Sequence, residues 1–280
     1  MSTSTDYQSH LKWQRFWLHA LVIVLVLLVM FPFVWLLIMS FKTIDDIFAW
    51  PPKWLFVPTL ENYTGLWEGD FPKSFANSLI VSVGSTAIAI LLGVPGAYAL
   101  SRMDMGRSNQ LSILILASRM APPIAFTIPY FLAYRHIGLL DSRLGLVIIY
   151  LTFNLSLVVW LMRSFFDATP RALEEAAWID GASLWQSFVK IILPLSGPGL
   201  AATAILCFLY SWNDFFFALI LTRTEATTAP VAIVNFMNYE GWAWGKIAAG
   251  GAMVMLPVLV FSFLVRRFLI QGMTAGAIKG

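Results

Sequence analysis

Apolar residues in this chain come in long unbroken runs separated by short polar stretches. Six runs approach or exceed the roughly 20 residues that a helix needs to cross a hydrocarbon core: 18–41, 75–100, 111–134, 145–166, 199–222 and 247–265. The pattern predicts an all-α, polytopic membrane protein with six transmembrane helices. An even number of spans puts both termini on one side. Lys and Arg indicate which: ten lie in the stretches on the side of the termini and seven in the alternate stretches, which favours cytoplasmic termini. The expected division is a cytoplasmic segment 1–17, a transmembrane domain 18–265 and a cytoplasmic tail 266–280, in the inner or plasma membrane of the cell. Lys12 and Arg15 ahead of the first run resemble the start of a secretory signal. That run exceeds the about 7–15 apolar residues of a signal, and no small-residue cleavage site follows it. It is read as a retained first span, with a cleaved signal as the alternative.

Composition agrees. Of 280 residues, 59% are hydrophobic and 12% charged, against about 25% charged in a soluble domain. The net charge of +3 is spread along the chain, so no basic face for nucleic acid is expected. Cys207 is the single cysteine, and His10, His19 and His136 lie far apart. No disulfide, metal site or cofactor is expected from them.

Three connections are long. Segment 42–74 carries Trp50, Pro51, Pro52 and Trp54, and segment 223–246 lies on the same side of the membrane. The third, 167–198, parses into two short helices. Thr169 is the expected N-cap of the first, with Pro170 at its first position and helix-forming residues from Ala172 to Asp180. Gly181 supplies a left-handed residue to end it. Ser183 and Gln186 form a capping box for the second, on which Leu184, Phe188 and Ile191 share a face, and Pro194 stops it. Ala176, Ala177, Gly181 and Ala182 are small enough for a partner's backbone to come close, and Glu174, Glu175 and Asp180 can receive Arg or Lys across an interface. By composition alone, two amphipathic helices lying on the inner leaflet read equally well.

The run Glu175-Ala176-Ala177, Asp180-Gly181-Ala182, Ile191 and Leu193-Pro194 resembles, in residues and spacing, the EAA motif of bacterial ABC importer permeases. Asn77-Ser78, Gly138-Leu139-Leu140-Asp141, Trp212-Asn213-Asp214-Phe215 and the tail from Gly272 to Gly280 are similar to the second permease of maltose- and trehalose-type systems. The resemblance implies a carbohydrate permease working by alternating access. It implies three kinds of partner besides membrane lipid: a homologous permease making a heterodimer, two cytosolic ATPase subunits and an extracytoplasmic solute-binding protein. The 167–198 loop would then be the coupling element in a groove of the ATPase. Asn238, Tyr239, Glu240, Gly241 and Trp242 would be the stretch that reaches the binding protein.

Two ionisable residues fall inside spans, where charge usually faces a cavity or a partner. At about 1.5 Å rise per residue, Arg119 is about 12 Å from the inner end of the third span and Asp214 about 24 Å from that of the fifth. No direct pair is assumed. Pro122, Pro123 and Pro129 kink or interrupt the third span, and such breaks often line transport paths. Arg119, Pro122, Pro123, Trp212, Asn213 and Asp214 are therefore candidates for that path. The competing readings are that Arg119 snorkels to the interface with the prolines only shaping packing, and that Trp212-Asn213-Asp214 is a polar cluster between helices. Gly241 to Ile247 is the nearest approach to a Walker A pattern but lacks its Ser/Thr and spacing. The chain is thus not expected to be an enzyme; ATP and Mg would be bound by the partner ATPases. An ion-coupled secondary transporter is the alternative, though only Asp214 offers a coupling carboxylate and no repeat is evident. An intramembrane enzyme would need a nucleophile–base or metal constellation, which these positions do not provide.

Overall fold

The computed structural model describes residues 3–103, 106–238 and 241–277. Its helices, in chain order, are α1 (Thr3–Ser40), α2 (Ile44–Ile47), α3 (Glu61–Trp67), α4 (Phe71–Arg102), α5 (Ser108–Ala117), α6 (Thr127–His136), α7 (Arg143–Ala168), α8 (Ala172–Ile179), α9 (Leu184–Ser187), α10 (Leu193–Leu195), α11 (Gly197–Trp212), α12 (Phe216–Leu221), α13 (Ala229–Val234) and α14 (Trp244–Ala277). Two strands, β1 (Met237–Asn238) and β2 (Gly241–Trp242), pair antiparallel. This small hairpin is the one departure from the expected all-α class among the described residues.

Four helical stretches are long and apolar enough to cross a membrane: Trp13–Ser40, Phe71–Arg102, Arg143–Ala168 and Trp244–Leu264. Leu184–Leu195 and Gly197–Trp212, bent by 76°, make a fifth when counted as one. The protein is thus a multi-pass, all-helical membrane protein apart from the hairpin.

The chain divides into two compact units. In the first, residues 1–68 and 236–253, α1 exposes Leu21 to Val29 all round. Water would not tolerate such a surface; lipid does. Asn62 joins the end of α1 to the following segment, donating to the carbonyls of Ser40 and Lys42 at 3.0 and 2.8 Å.

The second unit, residues 69–235 and 254–280, is built around α4, α7 and α11. Along the buried face of α4, among larger residues such as Phe71 and Val81, runs a row of small or polar ones: Ser74, Ser78, Ser82, Ser85, Ala89 and Gly93. Their spacing of three or four keeps them on one face, and small residues let membrane helices approach closely. At Gly93 an added Cβ would lie 2.8 Å from a methyl of Val158 on α7. Leu91 and Leu92, off this stripe, are exposed.

Helices α4 and α7 run parallel. At their N-terminal ends Arg143 Nε donates to Asn77 Oδ1 at 2.7 Å. At their C-terminal ends Ser101 Oγ donates to Asp167 Oδ1 at 2.5 Å. The chain between them, 103–142, therefore has to return along their length. It does so in pieces, with the interruption that the prolines of the 111–134 span lead one to expect. α5 stops at Ala117, a break follows, a 3₁₀ turn occupies Pro123–Phe126, and α6 begins at Thr127. Pro122 is extended (φ −64°, ψ 126°) because a proline follows it. Pro129 sits in the first turn of α6, where a missing N–H costs nothing. The expected fifth span, 199–222, is also broken: α11 ends at Trp212 and α12 starts at Phe216.

Candidate functional site

Helices α8 and α9 form a knob on the segment between α7 and α11. Gly181 has φ +86°. The amides of Gly181 and Ala182 return to the carbonyls of Trp178 and Ala177 at 3.0 and 2.9 Å, ending α8. The capping box is present: Gln186 N donates to Ser183 Oγ, and Ser183 N to Gln186 Oε1. Three local expectations are corrected. Thr169 is not the N-cap of α8; its hydroxyl donates to Phe165 O and closes α7, while Arg171 precedes α8. Leu184 is exposed although Phe188 is buried, and a π turn over Phe188–Ile192 brings Ile192, rather than the half-buried Ile191, fully inward. Pro194 does not stop the helix, which continues to Leu195 before the bend at Ser196. The π turn loosens the backbone just ahead of Pro194, whose ring would otherwise press on the carbonyl four residues back.

The acids of the knob face different ways. Glu175, Ala176, Asp180 and Gly181 are exposed, and an added Cβ at Gly181 would meet nothing within 4 Å among the described residues. Ala177 is buried, and so is Glu174, at 1% exposure. Ala182 and Ile191 are half-buried, Leu193 likewise, and Pro194 is exposed. Glu174 is thus not the surface acid that its position beside Glu175 suggests. Its carboxylate accepts from Arg102 Nε at 2.5 Å and from the Tyr98 hydroxyl at 2.6 Å, both on α4. Arg102 also donates to Thr169 O at 2.9 Å. The Tyr98 ring packs on Phe188 and Phe166, with centroids 4.6 and 5.7 Å away.

A second feature is a cavity of about 250 Å³ in the same unit. Arg119 and Pro123 line it from the broken segment, Tyr150 and Asn154 from α7, and Tyr210 and Asp214 from α11 and the break after it. Arg119 and Asp214 therefore share one cavity, although no salt bridge joins them among the described residues. The guanidinium of Arg119 lies 4.5 Å from the centre of the Tyr210 ring, a cation–π contact. Asp214 accepts from the Tyr150 hydroxyl at 2.8 Å and from Ala218 N at 3.2 Å, so it helps start α12. Asn154 donates to Ser211 Oγ at 2.8 Å.

The other path candidates lie elsewhere. Trp212 is buried and packs on Phe208 and Phe75, with Nε1 donating to Val254 O at 3.1 Å. Asn213 opens on a neighbouring depression that it shares with Tyr210 and Asp214. Pro122 lies beside the cavity-lining Pro123 in sequence but does not line it. Tyr150, Asn154, Tyr210 and Ser211 escaped the sequence reading. The available signal was the polar pairs Tyr150/Asn154 and Tyr210/Asp214, four apart within apolar runs.

At the opposite end of the parallel pair, Asp141 (φ +52°) takes the backbone N–H groups of Arg223, Thr224, Glu225 and Ala226, at 3.0 to 3.2 Å. Burial would raise its pKa, but these four donors outweigh that and hold the carboxyl well below the usual range. Asn77 donates to the carbonyls of Glu225 and Thr227, and Ser78 Oγ accepts from Ala229 N at 2.8 Å. Asn77-Ser78 and Gly138-Leu139-Leu140-Asp141 therefore build one corner that clamps the 223–229 segment. In the first unit, the hairpin pairs Asn238 with Gly241 and Met237 with Trp242. The ring of Trp242 lies 4.9 Å from that of Trp244. Tyr239 and Glu240 lie outside the described residues.

The family model for the binding-protein-dependent transport system inner membrane component matches residues 89–269. A probable ABC transporter permease protein of Sinorhizobium fredii is 38% identical over 270 residues, covering 96% of this chain and 95% of the relative. A trehalose transport system permease protein of Mycobacterium tuberculosis is 41% identical over 226 residues, covering 79% and 82%. A chain in the crystal structure of a bacterial ABC transporter involved in the import of the acidic polysaccharide alginate matches with a TM-score of 0.76 and 25% identity, over 95% of this chain and 98% of that one.

Proposed function

Since the chain belongs to the family of binding-protein-dependent transport system inner membrane components, we propose that it forms half of a carbohydrate path through the inner membrane, paired with a homologous permease. Two cytosolic ATPase subunits supply the energy, and an extracytoplasmic binding protein delivers the solute. The family sets aside the ion-coupled alternative. A sugar, oligosaccharide or polyol as cargo is supported by the trehalose permease and the alginate transporter among the similar proteins.

Six crossings are supported by the parallel pair α4 and α7, which requires the broken 103–142 segment to cross between them. With six, 1–17 and 266–280 share the cytoplasmic side, with the six-span domain 18–265 between them. The 167–198 knob then faces the cytosol as the EAA element. Glu175, Ala176, Asp180, Gly181 and Ala182 form its docking tip, and Ala177, Ile191, Leu193 and Pro194 hold its shape. The cavity bordered by Arg119, Pro123 and Asp214 belongs to the translocation path. Its Tyr210 face and polar rim suit sugar hydroxyls. Asn238, Tyr239, Glu240, Gly241 and Trp242 face the binding protein.

The observation that carries this reading is the exposed, left-handed Gly181 turn beside the exposed Glu175. A valine at Gly181 strains the turn and adds bulk where the ATPase sits. Losing a hydrogen-bonded interfacial charge at Glu175 costs about 2–5 kcal/mol, more than tenfold in affinity. In complexes assembled with ATPase, Glu175→Ala and Gly181→Val should both insert normally yet retain at least about tenfold less ATPase on washed membranes. Normal retention by both variants would show that the knob is not the docking element.

A further inference from the structure

The knob is joined by the chain to α7 and α11. Its strongest polar contact is with neither. Glu174 reaches across to α4, where Arg102 takes one carboxylate oxygen and Tyr98 the other. Arg102 and Glu174 have side-chain exposures of 9% and 1%. The contact is reinforced from both directions: Arg102 donates to Thr169 O, and Arg171 of the knob's entry donates to Ser101 O of α4 at 3.3 Å.

A buried ion pair is a poor way to stabilise a fold, since apolar residues of similar volume do as well or better. What it provides is a joint of fixed geometry. With Arg102 on one carboxylate oxygen, Tyr98 on the other and the same planar guanidinium also tied to Thr169 O, one orientation is allowed, whereas the rings of Tyr98, Phe166 and Phe188 alone could slide past each other. We propose that Arg102 and Tyr98 are positioning residues for coupling: they lock the knob to the C-terminal end of α4, so that a displacement of the knob passes directly into α4. The small-residue stripe on α4 then carries the motion to α7 along the helix pair. This assignment rests on the knob being the ATPase-docking element, and Glu174 acts in it through α4 rather than through the ATPase.

The test uses the complete complex with partner permease and ATPases. Spin labels at Met103→Cys and Leu173→Cys, both exposed sites, report the separation of α4 from the knob; the native Cys207 is buried. The separation should be the same in nucleotide-free complexes and in complexes trapped with ATP and vanadate. In the Glu174→Gln background it should shift between those states by at least about 2 Å, the scale of helix displacements in switching proteins. Arg102→Lys, which keeps a charge on the pair, should restore most of the rigidity relative to Arg102→Met. Tyr98→Phe keeps the ring and removes one hydrogen bond, and gives the same reading in weaker form if Glu174→Gln does not assemble. A shift in the otherwise unaltered complex while ATPase stays bound overturns the joint alone. No shift in Glu174→Gln or, failing its assembly, in Tyr98→Phe overturns it too. ATPase retention that ignores Glu175 and Gly181 overturns the docking reading instead.

Discussion

The two ends of the parallel pair α4 and α7 are both fastened by a carboxylate, in opposite ways. At one end Glu174 sits on a separate short helix and is gripped by side chains, Arg102 and Tyr98. At the other, Asp141 sits in the lead-in to α7 and is gripped chiefly by backbone, four consecutive N–H groups of residues 223–226, with the Thr224 hydroxyl as a fifth donor. Side chains on rigid helices make a joint between two bodies. Consecutive amides wrapped around one carboxylate make a loop with a fixed shape, much as a backbone nest holds an anion. One end is built to pass a displacement on, the other to keep a connection from moving.

This contrast is sharpest in what each carboxylate leaves behind when removed. Glu174→Ala strands Arg102 among buried groups, and stranding one partner of a buried pair costs about 3–5 kcal/mol. Equilibrium unfolding in mixed micelles should show that loss. Arg102→Met combined with Glu174→Leu should recover most of it, since no charge is then left unpaired. A Glu174→Ala variant as stable as the unaltered protein would mean that the pair is solvated and the joint is not buried in the membrane-embedded complex.

Asp141→Asn should do less. The amide keeps one oxygen toward the amides of 223–226 but turns an NH₂ toward the rest, and hydrogen bonds to a charged group are worth about 1.5–3 kcal/mol. The effect has a pH signature. The folded carboxyl titrates below its unfolded value, so its stabilisation is complete above the ordinary carboxylate range, about 4, and is lost as pH falls below it. The gap between the Asp141→Asn variant and the unaltered protein should therefore be constant from neutral pH down to about 5 and close as the solution becomes more acidic. A gap that widens in acid would show that the nest does not hold the charged form.

How much of this was legible in the sequence divides along the same line between local and distant. The long apolar runs gave four of the spans because hydropathy is a property of a continuous segment. Gly181 and the Ser183/Gln186 box could be read because a turn and a cap are decided within a few residues. The break after Ala117 was signalled by three prolines. The break after Trp212 carries no proline or glycine; it is made by Asp214 binding Tyr150 on another helix and starting α12. In the same way, Glu174 and Glu175 look alike in sequence. What separates them is Arg102, 72 positions away, and one sequence does not announce such a pairing. The corner formed by Asn77, Ser78 and Asp141 was noticed only as a likeness to relatives. Its physical work, clamping the 223–229 segment, became visible when three remote stretches met.

The smallest expected effect tests whether the Asp141 end owes its shape to charge in general or to the nest. Lys73 reaches Glu225 at 2.8 Å, within the clamped segment, but the two side chains are 41% and 73% exposed. Water and salt screen such a pair, and the cost of ordering two long side chains cancels much of the attraction, leaving about 0.2–1 kcal/mol. Lys73→Met should therefore lower stability by less than about 1 kcal/mol, and the difference should shrink as salt is raised because the Debye length falls to about 3 Å at 1 M. Asp141→Asn should keep its effect in the same salt, because its donors, four backbone amides and the Thr224 hydroxyl, are in direct contact with the carboxylate. Two variants a few residues apart in space would then respond differently to one change of solvent. If Lys73→Met cost as much as Asp141→Asn, or if both effects vanished in salt, the segment would be held by general electrostatic attraction, and the distinction between a shaped loop and a rigid joint that passes motion on would lose its basis at this end.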